Sequence, residues 1–138
     1  MTTVIRPEVS KHNKYYISKH RYYELKHFCL QYKEWKQIYN ELCGFLPGGI
    51  HDISNTENYF VPNSIIEKRE KYLDMIELVE TCAKLADPDL SNYILRAVTE
   101  ERSYDFLSTV MRIPCCKDIY YEKYRKFFWI LSTKKEFA

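Results

Sequence analysis

The sequence predicts an all-α protein, a long helical hairpin followed by a C-terminal helix-turn-helix-like unit. Three observations predict it. Apolar residues recur at steps of three and four along several segments, which is the spacing of a helix face. No convincing apolar–polar alternation marks a half-buried strand. Only three Gly and five Pro occur in 138 residues, too few for a sandwich or barrel with many tight turns. At 46 % hydrophobic residues the chain has enough apolar surface for a true core.

Residues 1–17 carry no clear period and are expected to form a flexible lead. From Ser18, a candidate N-cap, a helix is expected to run to Leu42. Leu25, Phe28, Tyr32, Trp35, Tyr39 and Leu42 are its apolar seam, which suits packing along a neighbouring helix. Residues 43–64 hold all three Gly and two of the five Pro. They are expected to be a mobile loop, with 46–62 the most mobile part. A second long helix is expected over 64–86, with Tyr72, Met75/Ile76, Val79, Ala83 and Ala86 inward. Asp87-Pro88 ends it. The two long helices, spanning 18–86 with their loop, can cover each other as an antiparallel pair. Their seam can equally form a homodimer.

Residues 87–138 are the densest part. Leu90–Thr99 is expected to be a helix with Tyr93, Ile94, Ala97 and Val98 inward, broken at Glu100-Glu101-Arg102. Ser103 is placed to cap a short helix, Tyr104–Met111. Ile113-Pro114-Cys115-Cys116 makes a turn. A final helix from Lys117 to about Leu131 aligns Tyr120, Tyr124, Phe127, Phe128 and Leu131 along one side.

Charge is uneven along the chain. Residues 1–36 carry eight Lys/Arg against three Glu, +5. Residues 37–111 carry six against thirteen acids, −7. Residues 112–138 carry seven against three, +4. A polyanion would therefore be met at the ends. No apolar run reaches the roughly 20 residues of a bilayer span, and residues 1–10 do not resemble a signal peptide. The expectation is a protein of the bacterial cytoplasm that does not engage membranes. Five cysteines, an odd number without a paired framework, fit free thiols.

Catalytic signatures are scarce. Gly48-Gly49 is not followed by Lys-Ser/Thr, so it is no phosphate loop. Neither H-x-x-x-H nor C-x-x-C occurs, and Cys115-Cys116 is too close for ordinary metal-ligand spacing. His20 and His27 share a helix face two turns apart, where a solvated face explains them better than a metal. Cys29 and His27 point apart at an offset of two. The expectation is a binding protein, not an enzyme, with no cofactor and no metal.

A helix-turn-helix needs a short first helix, a turn, and a second helix whose first turns meet the major groove. Ser103–Leu131 can be laid on that plan. Leu107 would be buried in the first helix and Ser108 would be the small residue at the crossing. Met111 and Ile113 would flank the turn, and Cys116 would cap the reading helix. Lys117, Asp118, Tyr121, Glu122 and Arg125 would be its exposed early positions.

The stretch Tyr104–Arg125, continued by Lys126-Phe-Phe-Trp-Ile-Leu131, resembles the C-terminal part of the RinA/ArpU-type phage transcription regulators. That group is related to the region-four helix-turn-helix of sigma factors. Lys19–Trp35 also resembles the N-terminal part of small phage proteins assigned to the group. The resemblance covers most of the chain except 43–64. It implies binding of double-stranded DNA and control of late phage genes, through host RNA polymerase. Two positions depart from the family pattern: Arg112 and Cys116 stand where glycine is usual. On this plan Lys117, Tyr121 and Arg125 are expected to face the groove, with exposed side chains. Lys123 and Lys126 are expected to meet phosphates. Asp118 and Glu122, if they face DNA, would repel phosphate and read bases such as cytosine. The alternative is a small phage inhibitor or adaptor. Its acidic middle would bind a host protein, RNA polymerase or a CRISPR nuclease, in that partner's nucleic-acid groove.

Overall fold

The structure is a computed structural model that describes residues 12–44 and 61–136. All regular structure among the described residues is helical, so the protein is all-α. The helices are α1 (Lys19–Leu30), α2 (Tyr32–Cys43), α3 (Asn63–Ala86), α4 (Ser91–Glu100), α5 (Tyr104–Thr109) and α6 (Lys117–Glu136). The mobility expected of 46–62 falls on residues that, apart from 61 and 62, lie outside the described ones.

The single helix expected over 18–42 is two helices. At Gln31 the backbone N–H donates to the Phe28 carbonyl, three residues back, at 3.2 Å. That tighter 3₁₀-type bond ends α1 before α2 begins. No Gly or Pro marks the site. Ser18 occupies the N-cap position in an extended conformation, but its hydroxyl makes no capping bond. The Ser18 carbonyl instead accepts the first helical bond, from the Tyr22 N–H at 2.9 Å.

The break separates two compact units. The first gathers the described residues of Met1–Gln31 and Leu78–Ala138, the second those of Tyr32–Glu77. Of the expected hairpin of 18–42 on 64–86, the part before Gln31 pairs elsewhere, α1 packing mainly on α4 and α6, whereas α2 shares the second unit with α3 up to Glu77. Chemistry explains the choice. Tyr22, Leu25 and Cys29 of α1 are buried, and α6 offers them an aromatic stripe. The Tyr22 ring meets Phe128 edge-on, with centroids 5.1 Å apart. The Tyr22 and Tyr124 hydroxyls share a hydrogen bond of 2.7 Å. Arg21 clamps the other end of α6, donating from Nε to Ser132 Oγ at 3.0 Å and from Nη2 to the Ser132 carbonyl at 2.9 Å.

The core of the first unit is completed by Val79, Cys82, Ala83 and Ala86 of α3, Ile94, Ala97 and Val98 of α4, Leu107 of α5, and Tyr120, Phe127, Phe128 and Leu131 of α6. These are largely the positions the helical period picks out. Asp87 terminates α3 and starts α4, its Oδ1 accepting from the backbone N–H of Asp89 at 2.9 Å and of Leu90 at 3.1 Å. α4 stops at Glu101, whose backbone is left-handed (φ 56°). Behind it the Arg102 N–H returns to the Ala97 carbonyl at 3.1 Å, a Schellman-type closure.

Residues 12–17, part of the lead expected to be flexible, form a local turn. Asn13 accepts from the Tyr15 N–H through its side chain at 2.8 Å and from the Tyr16 N–H through its carbonyl at 3.0 Å, as asparagine turns do. Ile17 is buried. In the second unit, Arg69 donates from Nε and Nη2 to the Leu42 carbonyl, at 2.9 and 2.7 Å. It thereby satisfies an open carbonyl at the negative end of α2.

The core carries a pH dependence. Burial pushes the Cys82 thiol up to about 11 from an ordinary 9.0. Burial raises the Cys29 thiol as well, with Cys82 beside it adding to the effect. The Tyr120 and Tyr124 phenols are raised chiefly by burial too. A folded-state pKa above the unfolded one means the unfolded chain loses its proton first. Stability is then fully present below the ordinary value and falls as pH climbs through the folded value. The expected result is a lower urea midpoint at pH 10 than at pH 7.5, with unchanged slope. Equal midpoints would show that these groups ionise as easily folded as unfolded.

Candidate nucleic-acid interface

The segment with the strongest functional expectation is α5, the turn and α6. Ser103 caps α5 as expected, accepting from the Phe106 N–H at 3.2 Å. α5 is shorter than expected and ends at Thr109, with Val110 as C-cap. Leu107 is buried, as the plan requires. Ser108 is exposed, so it does not serve as a small residue at a helix crossing. The join between α5 and α6 is aromatic instead. The Tyr104 ring lies 5.6 Å from Tyr120 and 6.4 Å from Tyr121. The Tyr104 hydroxyl donates to the Cys115 carbonyl at 2.7 Å, tying the start of α5 to the end of the turn.

The turn is sharp. The Ile113 N–H donates to the Leu107 carbonyl at 2.9 Å, which lets Ile113 fold back into the core. Arg112 takes a left-handed backbone (φ 56°) to allow this. Glycine would take this conformation without strain, because a Cβ crowds the carbonyl in that region. Replacing Arg112 by glycine is therefore expected to stabilise the protein by about 0.5–1 kcal/mol, the left-handed strain of roughly 1–2 kcal/mol less glycine's entropy cost, and so to raise the melting temperature. A lower melting temperature, measured by calorimetry, would show that the arginine side chain contributes more than the strain costs.

α6 starts directly after Cys116, whose carbonyl accepts from the Tyr120 N–H at 3.1 Å. Of the residues expected to meet DNA, Lys117 is exposed and lies over the Tyr121 ring, 5.7 Å from its centroid. Tyr121 is half-buried against Tyr104 and Tyr120. Burial, with Asp105 and Tyr104 nearby, raises its phenol. Lys126 is half-buried.

The expectation of open side chains is corrected at Tyr121, just described, and at Lys123 and Arg125. Lys123 is partly covered, with its Nζ 3.8 Å from Asp87 Oδ2. The turn that ends α3 places that carboxylate beside it. Arg125 is also half-buried, and its Nε is buried without a hydrogen-bond partner. It lines a shallow cleft of about 390 Å³ with Asn13, Lys14, Tyr15, Asp118, Ile119 and Glu122. Asn13, Lys14 and Tyr15 of the lead share this cleft with it, and no local pattern in α6 announces them.

The open surface at this end comprises Arg112, Lys117, Asp118, Ile119 and Glu122, with Val110 beside them in the turn. Val110 and Ile119 are among the few large apolar side chains left exposed. Ile119 was legible in principle, since it falls off the Tyr120–Tyr124–Phe127 stripe. The face combines cations at the turn, two carboxylates and apolar methyl groups. Among the described residues no group of three or more His, Cys, Asp or Glu is placed to hold a metal. No described helix is long and apolar enough to cross a membrane. The acidic middle does not form a uniformly acidic face. On α3, exposed Glu67, Glu70, Asp74 and Glu77 alternate with Lys68 and Lys71. Comparison with known proteins finds no matching family profile, no matching curated protein and no matching solved structure.

Proposed function

We propose that this chain is a phage-encoded, DNA-binding transcriptional regulator that contacts double-stranded DNA with its α5–turn–α6 segment. The observation carrying this reading is the left-handed reversal at Arg112. It joins a capped short helix with a buried Leu107 to a longer helix that starts four residues beyond Ile113. The resemblance of Tyr104–Arg125 to the RinA/ArpU-type regulators supports it. In this reading Arg112, Lys117 and Lys126 meet phosphates, which supply affinity. Asp118 and Glu122 accept hydrogen bonds from cytosine amino groups, and Ile119 contacts thymine methyls. Tyr121 supports Lys117. Arg125 and Lys123, being partly covered, position the helix more than they read bases.

The test is a salt titration of the full chain on duplex DNA from phage late promoters, read by fluorescence anisotropy. Log affinity should fall linearly with log salt, with a slope of about −0.9 for each phosphate contacted. A promoter duplex should bind at least about tenfold tighter than a scrambled duplex of equal length. No binding at low salt would sink the proposal.

A further inference from the structure

Within the first unit a cleft of about 440 Å³ opens beside α1, α4 and the start of α6. That volume is in the range of sites for small organic ligands. Six of its fourteen lining residues are aromatic, Tyr22, Tyr104, Tyr120, Tyr121, Tyr124 and Phe128. The rings do not stack on one another. Tyr104 and Tyr120 are inclined at 40°, Tyr120 and Tyr124 at 44°, and Tyr22 and Tyr124 at 66°. They present faces and edges together, which suits offset or edge-on packing of a further ring.

The charges on the rim cancel within the rim. Lys26 Nζ is 2.9 Å from Glu101 Oε1, and Arg102 Nε is 3.3 Å from Glu100 Oε1. All four residues line the cleft. A charged ligand would have to break one of these pairs or sit beside a like charge. A neutral ligand does neither.

Two phenols of the cleft make no hydrogen bond among the described residues, those of Tyr120 and of the half-buried Tyr121. The others have partners, Tyr104 on the Cys115 carbonyl and Tyr22 with Tyr124. Tyr120 is the deeper of the two, with only 2 % of its surface exposed. Its hydroxyl is not sealed off, since the buried unpaired side-chain atom among the described residues is Arg125 Nε. It therefore reaches the cleft, where a ligand can pair with it.

We propose that this cleft is a binding site for a neutral, planar aromatic molecule carrying one hydrogen-bonding group, its ring lying among the tyrosines and its polar group on the Tyr120 hydroxyl. The proposal is independent of DNA binding and is tested without DNA.

The experiment titrates the full chain with 2-naphthol, which is neutral at pH 7, and with naphthalene, 2-naphthoate and 2-naphthylmethylammonium. Binding is followed by fluorescence and by amide chemical shifts. 2-Naphthol should bind saturably, one per chain, with shifts centred on Tyr22, Lys26, Val98 and Tyr121. The charged analogues should bind at least about tenfold more weakly, since each disturbs a rim pair. Tyr120→Phe keeps the ring and should weaken 2-naphthol about fivefold, the loss of one hydrogen bond, while leaving naphthalene unchanged. The proposal is overturned by absence of saturable binding, by tighter binding of either ion, by shifts centred elsewhere, or by a Tyr120→Phe variant that binds 2-naphthol as well as the parent.

Discussion

Phe127→Ala is expected to destabilise the protein by about 3–5 kcal/mol, the range for removing a fully buried ring. Phe127 has no exposed surface. Its ring meets Phe128 edge-on, with centroids 5.0 Å apart and planes at 88°. The loss combines the transfer energy of the ring with the cavity left where α6 faces the core. Domains of this size are stable by about 5–15 kcal/mol, so this single change would remove a large share. Trp129→Ala is the control, because Trp129 is exposed and leans on Tyr15 from outside. It should cost much less. Urea denaturation followed by circular dichroism separates the two. A Phe127→Ala loss below about 1 kcal/mol would mean that the aromatic stripe of α6 is not the centre of the core.

Reversing charge at Arg112 and Lys117 together is expected to abolish most DNA affinity at moderate salt. Both side chains are exposed at the junction of turn and helix. If each meets a phosphate, the double change to glutamate should lower the salt slope by about two units. It should weaken binding to every duplex on the order of a hundredfold at low salt, with no loss of sequence preference. Stability should hold, since neither side chain is packed in the core and glutamate keeps the same left-handed cost at position 112. Glu122→Ala should behave differently, relaxing the preference at one base pair while leaving the salt slope unchanged. If the double variant binds like the parent, the turn is not the contact. Interaction with a host protein then becomes the better reading of this surface.

Which parts of this were legible follows from what kind of information each part needs. The all-helical class was legible because the three-and-four spacing is a property of each segment alone. So were the buried faces of α3, α4 and α6. Val79, Ala83, Ala86, Ile94, Ala97, Phe127 and Leu131 all fall where the period puts them. Ser103 as a cap and Asp87-Pro88 as a break were legible for the same reason, since capping and breaking act within a few residues. The break at Gln31 was not, because it carries neither Gly nor Pro and the seam runs through it without a fault.

Tertiary structure alone decided how the faces pair. A helical period names an apolar face but not its partner, because any apolar stripe of suitable length satisfies the hydrophobic effect. Choosing α6 as a partner for α1 depended on groups more than a hundred residues apart in sequence. These are Arg21 with Ser132, and the hydroxyl of Tyr22 with that of Tyr124. The same holds at the candidate interface. Arg125 and Lys123 carry the right charge at plausible helix positions, yet Arg125 is half-buried in a cleft shared with Asn13–Tyr15 and Lys123 lies beside Asp87. The sequence by itself determined the helices, their inner faces and the presence of a turn before α6. Only the fold decided which cations remained free, because solvent access at a side chain is fixed by whatever distant segment packs over it.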